Sequence, residues 1–178
     1  MLTLILGGAR SGKSRYAGSL CDGEDAVVFI ATAPPTDAEH DPEMASRISR
    51  HRAERPAHWV TIEATLDVAA AVRSAEPSGS VVLVDCVTLW LSNLLYQHRG
   101  LARDAREARI LEDVGALAEA AHDRRVIAVS NEVGEGIVPE TPLSREFRDL
   151  QGQANQMLAR SASRVVLLVA GIPLSLKA

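Results

Sequence analysis

The chain has 178 residues, of which 47% are hydrophobic and 24% charged, which is enough for one α/β domain with a sizeable core. Its 19 Lys+Arg against 23 Asp+Glu give a formal charge of −4, so we expect no general attraction to nucleic acid. Its two cysteines, Cys21 and Cys86, lack the spacing of a metal site and are expected to be reduced in a cytoplasmic protein.

Short apolar runs, rich in β-branched residues, recur along the chain and predict strands. Because these runs are continuous rather than alternating, we expect both faces of the sheet to be covered, as in a parallel sheet. His58–Glu63 is a candidate for one further short strand. The five runs are Leu2–Leu6, Ala26–Ala31, Val81–Val84, Val126–Val129 and Val165–Ala170.

Helical patterns lie between the predicted strands. One of them begins at Asp41-Pro42, which is typical of an N-cap followed by proline in the first turn. The alternation predicts a single domain over residues 1–178, with a doubly wound, mostly parallel sheet, helices on both faces and a P-loop NTPase-like architecture. The other helical patterns are Lys13–Leu20, Leu66–Ser74, Asp104–His122 and Leu143–Ala162.

Neither a secretory signal nor a membrane span is expected. The first predicted strand begins without a basic segment before it. The longest apolar stretch, residues 81–95, is interrupted by Asp85, Thr88, Ser92 and Asn93, which is typical of a core strand followed by a helix.

The first predicted strand leads directly into a G-x-x-x-x-G-K-S phosphate-binding loop. Glycines let successive backbone N–H groups curl around a polyphosphate, and the helix that follows directs its N-terminal partial charge at the same anion. The lysine is expected to contact the β- and γ-phosphates, and the serine hydroxyl to bind Mg²⁺. The loop residues are Gly7, Gly8, Ala9, Arg10, Ser11, Gly12, Lys13 and Ser14.

Asp85 directly follows the third apolar run, where ligands gather in parallel sheets. A carboxylate at this position has the chemistry of a Walker B acid and can hold Mg²⁺ opposite Ser14. The alternative interpretation makes Asp85 the N-cap of a helix that starts near Thr88.

A phosphate loop alone does not identify a reaction, so several classes of protein stay open. A switch GTPase normally carries an Asn-Lys-x-Asp run for guanine, which this sequence lacks. A nucleoside monophosphate kinase carries an arginine-rich lid, which Arg99–Arg109 imitates with four arginines. A monofunctional small-molecule kinase and a nucleotide-gated switch protein both remain open as alternatives.

Met44–Trp59 supplies a candidate nucleophile. At helical spacing Met44, Ile48 and His51 share one stripe, surrounded by arginines. A neutral imidazole can attack an α-phosphate and hold a nucleotidyl group, and guanidinium groups stabilise the charge of the phosphate in transfer. The alternative is a histidine on the inner face of an amphipathic helix with solvated arginines.

Several motifs together resemble the bifunctional adenosylcobinamide kinase/adenosylcobinamide-phosphate guanylyltransferase family of cobalamin biosynthesis. The resemblance extends from the first predicted strand to the last predicted helix. The motifs are Gly7–Arg15, Ile30-Ala31-Thr32, Arg47-Ile48-x-x-His51 followed by Arg55-Pro56-x-x-Trp59, Asn131–Pro139, and Phe147-Arg148-Asp149-x-x-Gly152-x-x-Asn155-Gln156.

The resemblance implies two reactions and a set of site residues. The first phosphorylates the adenosylcobinamide hydroxyl with ATP or GTP, and the second passes GMP from GTP, through a guanylyl-histidine, to adenosylcobinamide phosphate. It implies a homotrimer with Mg²⁺ as cofactor. His51 matches the histidine that carries GMP, and Lys13 is the second catalytic residue. The matched nucleotide-site positions outside the phosphate loop are Ala31, Thr32, Ala33, Arg52, Ala53, Glu54, Arg55, Glu63 and Asp85.

Two of these positions depart from the family pattern. Ala33 stands where a small hydroxyl residue is expected, and Asp85 where other members carry Glu. The two reactions also place different phosphates at the reacting centre, since phosphorylation needs the γ-phosphate and guanylylation the α-phosphate. We therefore expect the nucleotide to bind in two ways or the helix that carries His51 to move, with a hinge in Thr32–Asp41.

Overall fold

A seven-stranded sheet forms the centre of the computed structural model, which describes residues 1–34, 42–53 and 55–178 and, for Met44 and Arg47, the backbone alone. The strands are β1 (Leu2–Gly7), β2 (Val27–Ala31), β3 (Val60–Glu63), β4 (Val81–Asp85), β5 (Arg125–Val129), β6 (Arg164–Val169) and β7 (Ile172–Lys177). Their order across the sheet is β3-β2-β4-β5-β1-β6-β7, and only the β6–β7 pair is antiparallel.

The helices connect the parallel strands as the sequence predicts. The predicted boundaries agree to within one or two residues for most elements, and the prediction of a mostly parallel sheet with helices is confirmed. The predicted N-cap Asp41 lies outside the described residues, whereas the helix after it does begin at Pro42. The helices are α1 (Lys13–Ser19), α2 (Pro42–Ala53), α3 (Val68–Ser74), α4 (Val87–Gln97), α5 (Arg103–Ala120) and α6 (Pro142–Ser161).

Two separate apolar clusters cover the two faces of the sheet. On one face the strands pack against α3, α4, α5 and α6, with Trp90 as the largest fully buried side chain. On the other face Ile5, Val129 and Leu83 pack against α1, and Trp59 lies at the margin of this cluster. The continuous apolar strands are thus buried from both sides, which explains why their sequences do not alternate.

The strand order places β5 between β1 and β4. The phosphate loop leaves β1, and Asp85 ends β4, so the two motifs stand on strands that are not neighbours. Val129 of β5 pairs with Ile5 of β1 and with Asp85 of β4. The segment after β5 is therefore the part of the chain that stands between the two motifs.

The antiparallel strand β7 was not predicted. The sequence interpretation ended the sheet at the run before Gly171, but the chain turns there and pairs back onto β6. Every residue of β7 is exposed, including Ile172, Leu174 and Leu176. Pro173 is compatible with this position, because an edge strand has no second neighbour to receive its missing N–H.

The described helices also bear on the question of a membrane span. None of them combines the length and the apolar character needed to cross a bilayer. The assignment of residues 1–178 to a single domain stays a prediction.

Candidate functional site

The phosphate loop adopts a curled backbone that depends on positive φ angles. Gly7 has φ +151° and Gly12 has φ +95°, and Arg10 adopts φ 56° between them. The N–H of Ser11 donates to the carbonyl of Gly8 at 3.3 Å, which closes the turn. The carbonyl of Ser11 in turn accepts from the N–H of Gly171 at 2.9 Å, so the β6–β7 turn is hydrogen-bonded to the loop.

Lys13 lies inside the loop rather than on its surface. Its side chain is 7% exposed, and Nζ donates to the carbonyl of Gly8 at 2.6 Å. Burial lowers the pKa of Lys13, and this effect is opposed by Cys86 and Asp85. A buried ammonium with one carbonyl partner has donors to spare, which a polyphosphate can accept.

Asp85 at the end of β4 and Ser14 at the start of α1 line the same cavity. Burial raises the pKa of Asp85, while the Ser14 hydroxyl and the nearby His51, Arg55 and Lys13 act in the opposite direction. The helix-cap alternative is wrong, because the N-cap of α4 is Cys86, whose Sγ accepts from the N–H of Leu89 at 3.5 Å.

Thr32 joins the ends of β2 and β4. Its Oγ1 donates to the carbonyl of Cys86 and accepts from the N–H of Cys86, both at 2.8 Å. Its own carbonyl accepts from Asn93 Nδ2 at 2.8 Å. The hydroxyl of this buried residue therefore already donates and accepts hydrogen bonds within the protein. The side chain fixes the position of Asp85 and has no free donor for a ligand among these contacts.

A cavity of about 470 Å³ opens beside the phosphate loop on the α1 side of the sheet. His51 from α2 and Asp85 from β4 line it together with Ser14, so the candidate nucleophile and the candidate metal ligands share one space. A volume of this size is within the range of small-molecule sites. The other lining residues are Arg15, Gly18, Ser19, Asp22, Phe29, Arg55, Pro56, Trp59 and Leu83.

One wall of this cavity is aromatic and carries Arg55. The rings of Phe29 and Trp59 stack with their centroids 6.4 Å apart, and Arg55 Cζ lies 3.6 Å from the centroid of Phe29. Burial lowers the pKa of Arg55, although Asp85 acts in the opposite direction. Within residues 1–34, 42–53 and 55–178, the buried Nε of Arg55 has no hydrogen-bond partner. A guanidinium group beside a cavity is suited to binding a phosphate.

A second cavity of about 490 Å³ adjoins the first and shares Arg55, Pro56 and Trp59 with it. Arg52 and Glu63 line this second space and form an ion pair there. Glu63 belongs to the same row across the sheet as Asp85, because Ala31 of β2 pairs with both.

The described structure brings most of the predicted residues to the loop and these two cavities. Ala31 and Thr32 reach the site through the end of β2, and Ala33 follows them directly. Ala53 is exposed at the end of α2 and lines neither cavity. Glu54 lies outside the described residues, as does most of the predicted hinge in Thr32–Asp41.

Sequence reasoning missed the apolar wall of the cavity. Phe29 and Leu83 pair with each other across β2 and β4, each two residues before its strand ends. Because side chains alternate along a strand, Leu83 lies on the same face as Asp85, and this spacing is the signal that identifies the wall. Trp59 belongs to a quoted motif, but its ring contact with Phe29 cannot be read from the sequence.

The arginines of Arg99–Arg109 do not form a lid over the described site. Arg99 stacks on Tyr96, Arg103 pairs with Asp149, and Arg106 pairs with Glu146 between α5 and α6. The fourth, Arg109, pairs with carboxylates of its own helix. These arginines therefore stabilise the helical layer, and the lid interpretation has no support in these contacts.

The chain is similar along nearly its whole length to the proteins of one family. Residues 3–176 match a family model described as cobinamide kinase / cobinamide phosphate guanyltransferase. The chain is 47% identical over 178 residues to the bifunctional adenosylcobalamin biosynthesis protein CobP of Pseudomonas aeruginosa, covering 99% of this chain and 98% of that one. It is 40% identical over 185 residues to the bifunctional adenosylcobalamin biosynthesis protein CobU of Escherichia coli K12, covering 99% and 100%.

A likeness to a solved structure bears on the fold alone. An ATPase from the type III secretion system of pathogenic bacteria aligns with a TM-score of 0.55 at 13% identity. The alignment covers 98% of this chain but only 56% of the ATPase chain. The P-loop NTPase-like architecture predicted from the sequence is confirmed.

Proposed function

Because this chain belongs to the cobinamide kinase / cobinamide phosphate guanyltransferase family, we propose that its one nucleotide site serves two transfers in turn. The protein is a transferase of cobalamin biosynthesis that uses GTP and ATP. Its first reaction phosphorylates adenosylcobinamide, and its second transfers GMP to adenosylcobinamide phosphate to give adenosyl-GDP-cobinamide. One observation supports the shared site above all, which is that His51, Ser14 and Asp85 line a single cavity.

In the guanylyl step we propose His51 as the nucleophile. An imidazole nitrogen forms a bond to the α-phosphorus of GTP, the bond from that phosphorus to the bridging oxygen breaks, and pyrophosphate leaves. An oxygen of adenosylcobinamide phosphate then attacks the same phosphorus and releases the imidazole. Arg55, with its buried Nε, stands in the same cavity and would stabilise the charge on the phosphate in both halves.

In the kinase step we propose that the phosphate loop holds the β- and γ-phosphates through its backbone N–H groups and Lys13. The γ-phosphorus has to face the acceptor hydroxyl here, whereas the guanylyl step brings the α-phosphorus to His51. The nucleotide therefore binds in two positions along the loop, or α2 moves relative to the sheet between the steps.

The residues around Ser14 fit a magnesium ion. The hydroxyl of Ser14 and the carboxylate of Asp85 are hard oxygen donors that line the same cavity. The described residues contain no cluster of three or more His, Cys, Asp or Glu, which suits an ion that takes most ligands from water and phosphates. When bound, Mg²⁺ neutralises charge on the phosphate oxygens.

We propose further that the protein works as a homotrimer in the cytoplasm, without nucleic acid as a partner. The exposed apolar side chains of Ile172, Leu174 and Leu176 on the edge strand β7 favour burial against another copy. The acidic net charge of −4 opposes a nucleic-acid surface. Sedimentation of the purified protein tests the assembly, and a monomer at micromolar concentration would contradict it.

The central experiment asks for a covalent nucleotide on His51. Incubation with α-labelled GTP is expected to leave an acid-labile, alkali-stable label on the unaltered protein, and His51→Ala is expected to remove it. His58→Ala is the matched control. His58 is exposed, follows His51 by seven positions in the sequence, and lines neither cavity. Phosphorylation of adenosylcobinamide is expected to continue in both variants, since it needs no protein nucleophile. A GMP-sized mass addition that persists in His51→Ala would exclude His51 as the carrier.

A further inference from the structure

A hydrogen-bonded cluster of buried polar side chains lies at the carboxyl end of β5, outside both cavities. Gln151 and Asn155, on successive turns of α6, are 1% and 5% exposed. Asn155 Oδ1 accepts from Ser130 Oγ at 2.6 Å and from Gln151 Nε2 at 3.0 Å. With two donors at its oxygen, the amide of Asn155 has its orientation set, and its NH₂ group faces the opposite side.

The NH₂ group of Asn155 holds Glu132. Its Nδ2 donates to Glu132 Oε1 at 2.9 Å and to the carbonyl of Asn131 at 3.0 Å. An amide nitrogen only donates, so the Glu132 oxygen that it contacts must be an acceptor. The cluster thus holds the carboxyl group of Glu132 in a fixed position, and neither reaction proposed above gives it a role.

The position of Glu132 is next to the phosphate loop. Its N–H donates to the carbonyl of Gly7 at 3.0 Å, and the N–H of Asn131 donates to Thr88 Oγ1 at 2.9 Å. Since β5 lies between β1 and β4, Glu132 stands three residues beyond the row in which Val129 pairs with Asp85. Contacts from β1 and α4 therefore fix the backbone of this segment beside the phosphate loop, and Asn155 of α6 holds the Glu132 side chain.

The side-chain partners of this segment belong to the face of the sheet opposite the nucleotide cavity. The cavity with His51 opens on the α1 side, whereas Asn155 belongs to α6, which packs on the other face of the sheet. Phosphoryl transfer places the attacking and leaving oxygens roughly in line on opposite sides of the phosphorus. A nucleotide bound on the α1 side would therefore leave the side of Glu132 for the approach of the acceptor hydroxyl.

From this geometry we propose that Glu132 is the general base of the kinase step, an inference that rests on the function proposed above. The hydroxyl oxygen of adenosylcobinamide forms its bond to the γ-phosphorus, and the bond from that phosphorus to the β–γ bridging oxygen breaks. The nucleoside diphosphate leaves with that bonding pair, and the hydroxyl proton passes to Glu132 and then to solvent. Asn155 is a positioning residue that holds the base.

The guanylyl step provides an internal control for this role. Its acceptor is a phosphate, whose oxygen carries no proton to remove at neutral pH, and its nucleophile is His51 on the other side of the loop. A base for the acceptor hydroxyl should therefore matter to one reaction and not to the other. A residue that only supports the loop should affect both reactions.

The test compares Glu132→Gln with Glu135→Gln, which removes the same charge from an exposed residue of the same loop. Three rates are measured: phosphorylation of adenosylcobinamide, labelling of the protein by α-labelled GTP, and GMP transfer to supplied adenosylcobinamide phosphate. In Glu132→Gln the kinase kcat is expected to fall by about 10²–10⁴, with the nucleotide KM and the other two rates unchanged. Glu135→Gln is expected to match the unaltered protein throughout.

Two results would overturn the role of Glu132. One is a kinase rate within threefold of the unaltered protein, and the other is an equal fall in the guanylyl rates, which would make Glu132 a support of the loop. If Glu132→Gln does not fold, Glu132→Asp is used instead, and it is expected to lower the kinase kcat while both guanylyl rates stay unchanged. An equal fall of all three rates in Glu132→Asp would likewise make Glu132 a support of the loop. Failure of the unaltered protein to catalyse either reaction would instead refute the proposed function.

Discussion

Gly7→Ala tests how closely the phosphate loop is packed against the sheet. A Cβ at this position would lie 2.6 Å from the carbonyl oxygen of Leu168 and 2.7 Å from Ser11 Oγ. Leu168 belongs to β6, which pairs with β1, so its carbonyl cannot move without disturbing the sheet. The φ angle of +151° at Gly7 adds backbone strain for any residue with a side chain.

The expected cost follows from these two effects. Inserting a methyl group into a packed region costs about 1–3 kcal/mol, and holding a non-glycine residue in a sparsely populated backbone conformation costs about 1–3 kcal/mol. Some relaxation is expected, so we predict a loss of about 2–5 kcal/mol in the free energy of unfolding. At roughly 2–4 °C per kcal/mol for a chain of this size, Tm should fall by roughly 4–20 °C.

The neighbouring glycine provides the matched control. A Cβ on Gly8 would have no atom within 4 Å, so Gly8→Ala should change the free energy of unfolding by less than about 0.5 kcal/mol. Urea denaturation of both variants without nucleotide measures the difference directly. Equal stability of Gly7→Ala and Gly8→Ala would show that the loop can move away from β6, and the packing argument would then be refuted.

Three further predictions concern the site. Lys13→Ala should keep the fold but lower both reaction rates by about 10²–10³, and normal rates in a folded variant would contradict the assignment of the loop. Asp85→Asn should raise the Mg²⁺ concentration needed for half-maximal activity. Because burial raises the pKa of Asp85, the ionised form costs stability in the protein without nucleotide or metal, and unfolding in a chelator should become easier as pH rises through that raised pKa. Asp85→Asn should remove this pH dependence of unfolding. The same pH dependence in Asp85→Asn would show that it does not come from Asp85. Burial raises the pKa of the Cys21 thiol to about 11 and that of Cys86 to about 12, so both should react with iodoacetamide at pH 8 only after unfolding.

The sequence was sufficient to predict the parts of the fold that have a strong local signal. The strand β1, the phosphate loop and α1 were predicted together because a glycine-rich turn between an apolar run and a helix has few other interpretations. The strand β7 gives a weaker signal, since its apolar residues alternate, it contains Pro173, and it follows a glycine. Its partner is also antiparallel, which a pattern of parallel crossovers does not lead one to expect.

Long-range contacts account for the remaining differences. The sequence identified His51 and Asp85 separately, but only the order of the strands and the docking of α2 place them in one cavity. The insertion of β5 between β1 and β4 has no local signal in the sequence. The block that contains Glu132 can be recognised as a motif, but its location beside Gly7 cannot be inferred unless the strand order is known.

The hydrogen bond from the N–H of Gly171 to the carbonyl of Ser11 joins the free edge of the sheet to the phosphate loop. An edge hairpin usually tolerates change, yet here the Cα of Gly171 lies 3.4 Å from the place where a Cβ on Gly12 would stand. In the function proposed above, any event that shifts the β6–β7 turn would therefore alter the loop that holds the triphosphate. By thermodynamic reciprocity, a nucleotide that tightens the loop would change how strongly the β7 edge binds another copy of the proposed trimer. Nucleotide binding and subunit assembly would then be thermodynamically coupled.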